Sequence, residues 1–357
     1  MSDHGRTPSG AAGLRRGSRA AARLGSLLAG GLVTGLALSA CGDIPQPSRP
    51  ELTPYERPAV RSGDAGDFLT TYAQSLDEAL GEDPGALEPL QTGPLLERTR
   101  AEMLIAEQTG TTLGASGYTD VVAGGPMFEE YPMWFMGFAT PADEESDDVQ
   151  AMLVTRESAA TDWKVAESLF VPAEAQPTIL ADQQGAVEPA PDTHTETAET
   201  VVSQASEYLT TGDVPSGAPQ FDEAGFQDFR DYVAELGAED TGFSDVGVEC
   251  TPYEGMPLGD YALATEGGGV SFAESRCTLT VNVPESYFVD LGDEIEAVMT
   301  TDTEGSVITI EVAQPMLITT SGEDASVSSP GWYMLSAETS GGDSGEGGDE
   351  SGGGDEG

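Results

Sequence analysis

The stretch YPMWFMGFAT, residues 131–140, is almost wholly apolar and only ten residues long. A run this short fits a strand better than a helix, and Trp134, Phe135 and Phe138 are residue types that strands favour. Two further runs follow, DVQAMLVTR at 148–156 and DWKVAESLFVP at 162–172, with polar, turn-like stretches between them. Three such runs in succession predict an antiparallel β-meander. The acidic stretch PADEESDD (141–148) then falls at the first turn, as a solvated hairpin tip.

Upstream of the meander the periodicity changes. In SGDAGDFLTTYAQSLDEALG (62–81), Phe68, Leu69, Tyr72, Ala73, Leu76 and Leu80 recur at helical spacing, and Gly81 can end the helix. A second helix is predicted from about Pro94 to Gln108, with Leu95, Leu96, Met103 and Ala106 inward and Gly110 as a stop. Downstream, ADQQGAVEPAPDTHTETA (181–198) reads as an interdomain linker, and then the order repeats. ETVVSQASEYLTTG and FDEAGFQDFRDYVAELG carry helical faces, and GVSFAESRCTLTVNV, SVITIEVAQPMLITT and GWYMLSAE read as strands. Trp163 and Trp332 each stand at the start of a closing strand. Helices followed by an antiparallel sheet, twice, predict an α+β chain with two related bodies, 62–180 and 199–337. This element order resembles nuclear-transport-factor-2-like or cystatin-like folds, in which helices pack on a bent sheet.

The first forty residues read as a targeting segment. Five arginines lie within 1–23, and residues 24–40, LGSLLAGGLVTGLALSA, carry no charge. Leu38-Ser39-Ala40-Cys41 closes the segment and resembles the lipobox of bacterial lipoproteins: an aliphatic residue, two small residues, then cysteine. Small side chains suit the narrow subsites of a signal peptidase, and the Cys41 thiol is the nucleophile that would take a diacylglyceryl group. Three other readings compete: an ordinary secretory signal, an uncut membrane span and a buried core helix. The cysteine, the four glycines within 24–40 and the flanking basic and proline-rich segments weigh against them. The lipobox reading makes 1–40 a signal peptide, Cys41 the mature N-terminus, and the outer face of the cytoplasmic membrane the site of work. Residues 41–61, with five prolines, become a semi-rigid stalk. One acyl chain holds marginally, at about 0.8 kcal/mol per buried methylene, and two hold stably.

Charge narrows the partners. The chain has 63 acidic and 14 basic residues, and removal of 1–40 leaves 62 and 9, a formal net charge of −53. Such a surface repels nucleic acid, so no nucleic-acid partner is expected. Membrane lipid, through acylated Cys41, is the expected contact, with an envelope protein or a glycan as further partner. Residues 338–357 are rich in glycine and acid, and are expected to be disordered.

Few residues promise chemistry. His4 lies in the signal segment and His194 in the expected linker, so the folded bodies are expected to hold no histidine, Ser-His-Asp site or imidazole-bound metal. No phosphate-binding or dinucleotide fingerprint occurs, and TEGGGVSF (265–272) reads as a hairpin turn. No metal or cofactor is therefore expected. With Cys41 given to lipid, Cys250 and Cys277 form an even set in an oxidising compartment and are expected to form a structural disulfide; the alternative, a redox pair, lacks CxxC spacing.

LSAC, AGDFLTTYAQSLDEAL, LLERTRAEMLIAEQTG and the meander from 131 to 172 together resemble a family of actinobacterial lipoproteins carrying a domain of unknown function. The resemblance covers roughly residues 38–180 and implies a membrane-anchored, exported protein. It brings no catalytic residues. The expected function is a non-enzymatic binding module at the cell envelope, with a carboxylate-based hydrolase of envelope polymers as the alternative. A Cys41→Ala variant is expected to lose fatty-acid labelling and signal processing together; label retained on the variant would refute the anchor.

Overall fold

The structure is a computed structural model that describes residues 56–341, apart from 143–147, 220, 222–224, 239–240, 285–290, 302–304 and 323. The lipobox, residues 41–55 of the stalk and residues 342–357 of the tail lie outside the described residues. Among those described, no helix is long and apolar enough to cross a membrane.

The first half opens with β1 (Arg57–Pro58), α1 (Ser62–Leu80) and α2 (Gly93–Thr109). Strands β2 (Tyr118–Gly124), β3 (Met127–Phe128), β4 (Met133–Pro141), β5 (Asp148–Arg156) and β6 (Lys164–Pro172) follow. Strands β2-β4-β5-β6 form an antiparallel sheet in that order. The meander is as expected, with β2 added at its edge. The α+β class also holds: helices and antiparallel sheets make up the described chain.

β4 explains the apolar run at 131–140. All seven residues from Met133 to Ala139 are buried, so neither face of the strand meets water. Trp134, Met136 and Phe138 pack with one cluster, whereas Phe135 and Ala139 pack with Leu69 and Tyr72 of α1. A fully buried Phe or Met contributes roughly 1.5–3 kcal/mol, so both faces of β4 drive folding. Gly137 lies on the helix side, where an added Cβ would sit 2.7 Å from Leu69 Cδ1. Its missing side chain is what lets α1 seat this closely.

The second half comprises α3 (Asp192–Thr211), α4 (Phe226–Leu236), β7 (Asp245–Pro252), β8 (Ala262–Thr265), β9 (Gly268–Asn282), α5 (Asp293–Ala297), β10 (Val307–Ser321), β11 (Asp324–Ser328) and β12 (Tyr333–Ser340). β9 and β10 pair along 15 residues and form the spine of a six-stranded sheet. β7 and β8 pair with successive stretches of β9, and β11 and β12 with opposite ends of β10. TEGGGVSF is the β8–β9 hairpin, with Gly267 at φ +101° in its turn.

The expectation of two bodies separated by a linker is corrected here. The described residues form one compact unit. The second sheet contributes Leu263, Val270, Phe272 and Leu317 to the same cluster as Trp134, Met136 and Phe138. The sheets therefore share a core face to face, with α1 on the far side of the first and α3 and α4 on the far side of the second. Residues 181–198 are not a free linker. Val187 is buried, Ala186 bridges to Gly125 and Pro189 to Leu263, and α3 starts at Asp192. At the other end, β1 pairs with β3 and Val60 is buried, so the last residues assigned to the stalk belong to the body. β12 likewise extends to Ser340, into the segment assigned to the tail.

His194 is the sharpest departure. It sits in the first turn of α3, 1% exposed, on the face of the second sheet. Its Nδ1 lies 2.9 Å from Thr320 Oγ1 and its Nε2 3.1 Å from Ser271 Oγ. Gly269 makes room, since a Cβ there would stand 2.6 Å from His194 Cγ. Both ring nitrogens meet hydroxyls, so the imidazole needs no charge, and burial pushes its pKa down to about 4. An ordinary histidine in the unfolded chain titrates near 6.5, so the unfolded state binds more protons between these values. Stability supplied by neutral His194 is therefore complete above about pH 6.5 and lost as pH falls towards 4, on the order of 3 kcal/mol in all. Urea unfolding from pH 4 to 7 should show a flatter pH dependence for His194→Gln than for the wild type; parallel curves would exclude this role.

Candidate functional site

Helix α2 carries a charge on the stripe that ought to be apolar. Leu95, Arg98, Thr99, Ala101 and Met103 are all buried. Arg98 is 1% exposed and reaches between the two sheets. Its Nη2 donates to Glu167 of β6 and, at 2.8 Å, to the Ser168 carbonyl. Its Nη1 donates to Glu274 of β9 at 3.3 Å. The Tyr333 ring of β12 lies 5.0 Å from the guanidinium carbon. Glu274 also accepts from Arg276, which reaches Glu97 at 2.8 Å and stacks on Tyr253. Charges thus alternate along Glu167, Arg98, Glu274, Arg276 and Glu97.

Burial decides the electrostatics. Burial opposes the charge on Arg98, but Glu167 and Glu274 outweigh it and raise its pKa. Burial, joined by the Glu167 charge, pushes the Glu274 carboxyl up to about 7 against the pull of two guanidinium groups. A dry ion pair costs much of what it returns, so the network fixes geometry more than it adds stability. It ties one helix to both sheets through one side chain.

A cavity of about 350 Å3 opens beside Arg98, between α1, α2, β5, β6 and β12. The Tyr118 hydroxyl donates to Gln150 Oε1 at 2.8 Å, and Gln150 Nε2 donates to Ser168 Oγ at 2.8 Å. In the same lining, Gln91 Nε2 donates to the Tyr72 hydroxyl at 3.0 Å. Gln91 is 1% exposed, yet its Oε1 has no partner. A buried amide oxygen left in this way costs about 1–3 kcal/mol. Glu102 lines the same space, and burial raises its carboxyl pKa against the opposing charge of Arg98. Burial pushes Tyr72 and Tyr333 up to about 12, so both keep their protons as donors.

A larger groove of about 960 Å3 runs past Arg57, Arg61, Arg156, Tyr131 and Trp163. Two of its arginines are already engaged within the protein. Arg156 donates to the carbonyls of Ser158, Ala159 and Thr161, and Arg57 and Arg156 both stack on Tyr131. Glu56 and Asp64 line the same groove and offset the positive charge. The smaller cavity, with its hydrogen-bonded polar lining, is the better-built site.

A family model described as a domain of unknown function, DUF8094, matches residues 56–329. The chain belongs to this family. The DUF8094 match runs across both sheets, and takes in Arg98, Glu167, Glu274 and every residue of the cavity wall except Tyr333. No curated protein matches the chain.

Leu38, Ser39, Ala40 and Cys41 lie outside the described residues of this DUF8094 chain. Cys250 and Cys277 are directly paired across β7 and β9 and form a disulfide, away from the cavity. Among the described residues, no group of three or more His, Cys, Asp and Glu could hold a metal ion. Arg98, Glu167 and Glu274 were not singled out, although a signal exists: Ala-Glu-Ser recurs at 166–168 and 273–275, placing a glutamate inside a strand-like run each time. An Arg98→Met variant should lose about 3–5 kcal/mol in urea unfolding, because buried Glu167 loses its cation and Glu274 is left with Arg276 alone. Adding Glu167→Gln and Glu274→Gln should return part of that loss; full stability of Arg98→Met alone would show that the network constrains nothing.

Proposed function

We propose that this DUF8094 protein is a lipid-anchored, non-enzymatic binding protein on the outer face of the cytoplasmic membrane. Its cavity beside Arg98 holds a small ligand. The observation that carries the reading is the cavity itself, about 350 Å3 and lined by the hydrogen-bonded pairs Tyr72–Gln91 and Tyr118–Gln150, a size that small molecules occupy. Leu38-Ser39-Ala40-Cys41 supports the anchor, and the Cys250–Cys277 disulfide suits an oxidising compartment.

The hydrolase alternative needs two carboxyl groups flanking one bond. Glu102 is the single carboxylate in the cavity lining, and Glu167 and Glu274 are held by Arg98 behind the wall. That arrangement supports binding over turnover. Native mass spectrometry of protein extracted from membranes is expected to show a non-covalent ligand that denaturation releases and that Tyr118→Phe retains less well. Cleavage of envelope polymer fragments that Glu102→Gln abolishes would replace this reading with the hydrolase.

A further inference from the structure

We infer that the ligand of the Arg98 cavity is a small organic cation, a free alkylammonium or quaternary ammonium ion, and that Glu102 is its counter-charge. This rests on the proposed binding role of the cavity and goes on to name what fills it.

The charge inventory of the wall is short. Arg98 and Glu102 are its charged side chains, one turn apart on α2. Arg98 is matched from inside the fold: Nη2 donates to Glu167 and the Ser168 carbonyl, and Nη1 to Glu274. Even with a proton on Glu274, Glu167 balances the guanidinium. Glu102 has no such match. It is half-buried, and among the described residues neither of its oxygens has a hydrogen-bond or ion-pair partner. Burial outweighs the attraction of Arg98 and raises its carboxyl pKa. Tyr72 and Tyr333 keep their protons and add no charge. The cavity is therefore left with one negative charge in excess, on a side chain whose burial costs stability and returns no bond within the chain.

A cation supplies what Glu102 lacks, and the rest of the lining makes it an organic one. Metal ions of the kind proteins hold take several oxygen, nitrogen or sulfur ligands, and the wall offers one carboxylate. Among the described residues, no group of three or more His, Cys, Asp and Glu could hold such an ion. Tyr72, Tyr118, Phe170 and Tyr333 line the same space as Glu102. Aromatic rings attract ammonium groups through their faces, and Tyr333 already takes the Arg98 guanidinium in this manner, at 5.0 Å. Phe170 is 47% exposed, so its ring is open to an incoming ligand. Leu95 and Leu169 add apolar surface for the carbon body of the ion. The acid excess of the chain, 62 to 9 once residues 1–40 are removed, draws cations towards the protein and repels anions. An ammonium group that carries a phosphate, as in a lipid headgroup, would bring a second negative charge towards Glu102, which favours the free ion.

The test is calorimetric titration of the membrane-extracted, full-length protein with choline and with n-butylammonium. At least one should bind saturably, and its neutral counterpart, 3,3-dimethylbutan-1-ol or butan-1-ol, should bind roughly tenfold more weakly or less well still. Glu102→Gln removes the charge and keeps the shape. It should weaken cation binding roughly tenfold or more, the loss expected for one contact to a charged group. The same variant should unfold at a urea concentration equal to or above that of the wild type, because an unpaired carboxylate has been taken out of the wall. Glycerophosphocholine should bind more weakly than choline; tighter binding would overturn the free ion in favour of a lipid headgroup. A neutral counterpart that binds as well as its cation, or a neutral or anionic ligand in the native mass spectrum, would overturn the cation and leave the binding role standing. Failure of both cations to saturate overturns the class. Cation binding unchanged in Glu102→Gln, or a lower urea midpoint for this variant, overturns the assignment of Glu102 as counter-charge.

Discussion

A guanidinium taken out of water must be given its counter-charges, and the architecture follows from where Arg98 finds them. One carboxylate comes from β6 in the first sheet and the other from β9 in the second. The sheets cannot slide past each other without separating Arg98 from Glu167 or Glu274. Apolar burial in the shared cluster, which includes Phe138 from one sheet and Phe272 from the other, supplies most of the free energy that holds the sheets together, but it is tolerant of register. The buried charges are not tolerant. In this fold the hydrophobic effect sets that the sheets meet, and the ion network sets how.

The cavity depends on the same side chain. Arg98 leaves α2 towards the sheets, and Ser168, whose carbonyl it holds, is also the hydroxyl that anchors Gln150. Tyr118 is positioned through Gln150 in turn. The polar wall is therefore an extension of the structural network. A site built this way is preorganised: its donors and acceptors are fixed by contacts that folding has already made.

Most elements were legible because local pattern decided them. The apolar spacing in 68–80 gave α1, and the runs at 148–156 and 164–172 gave β5 and β6. The error lay in assembly. The run at 133–139 has no polar residue to show that its two faces meet different partners, so periodicity could not reveal that the second sheet packs on one of them. The segment 181–198 misled for a related reason. Its prolines and acids have the composition of a linker, but Val187 and His194 are held by contacts with residues distant in sequence. The candidate site was almost illegible. Gln91 and Tyr72 are 19 residues apart, Arg98 and Glu274 are 176 apart, and only the fold brings them together. The cysteine pairing was readable because, with Cys41 set aside, two cysteines leave a single pairing without any geometry.

That pairing has an effect beyond cross-linking. β7 is an outermost strand of the six-stranded sheet, and Cys250 fastens it to Cys277 in the strand beside it. Were β7 to peel away, the new border of the sheet would be β9, with the buried Leu279 and Val281 beside a row of unpaired backbone groups. Such a border recruits strands from other molecules. The covalent staple keeps an expendable, largely exposed strand at the margin, and so guards against self-association when neighbouring copies are crowded together.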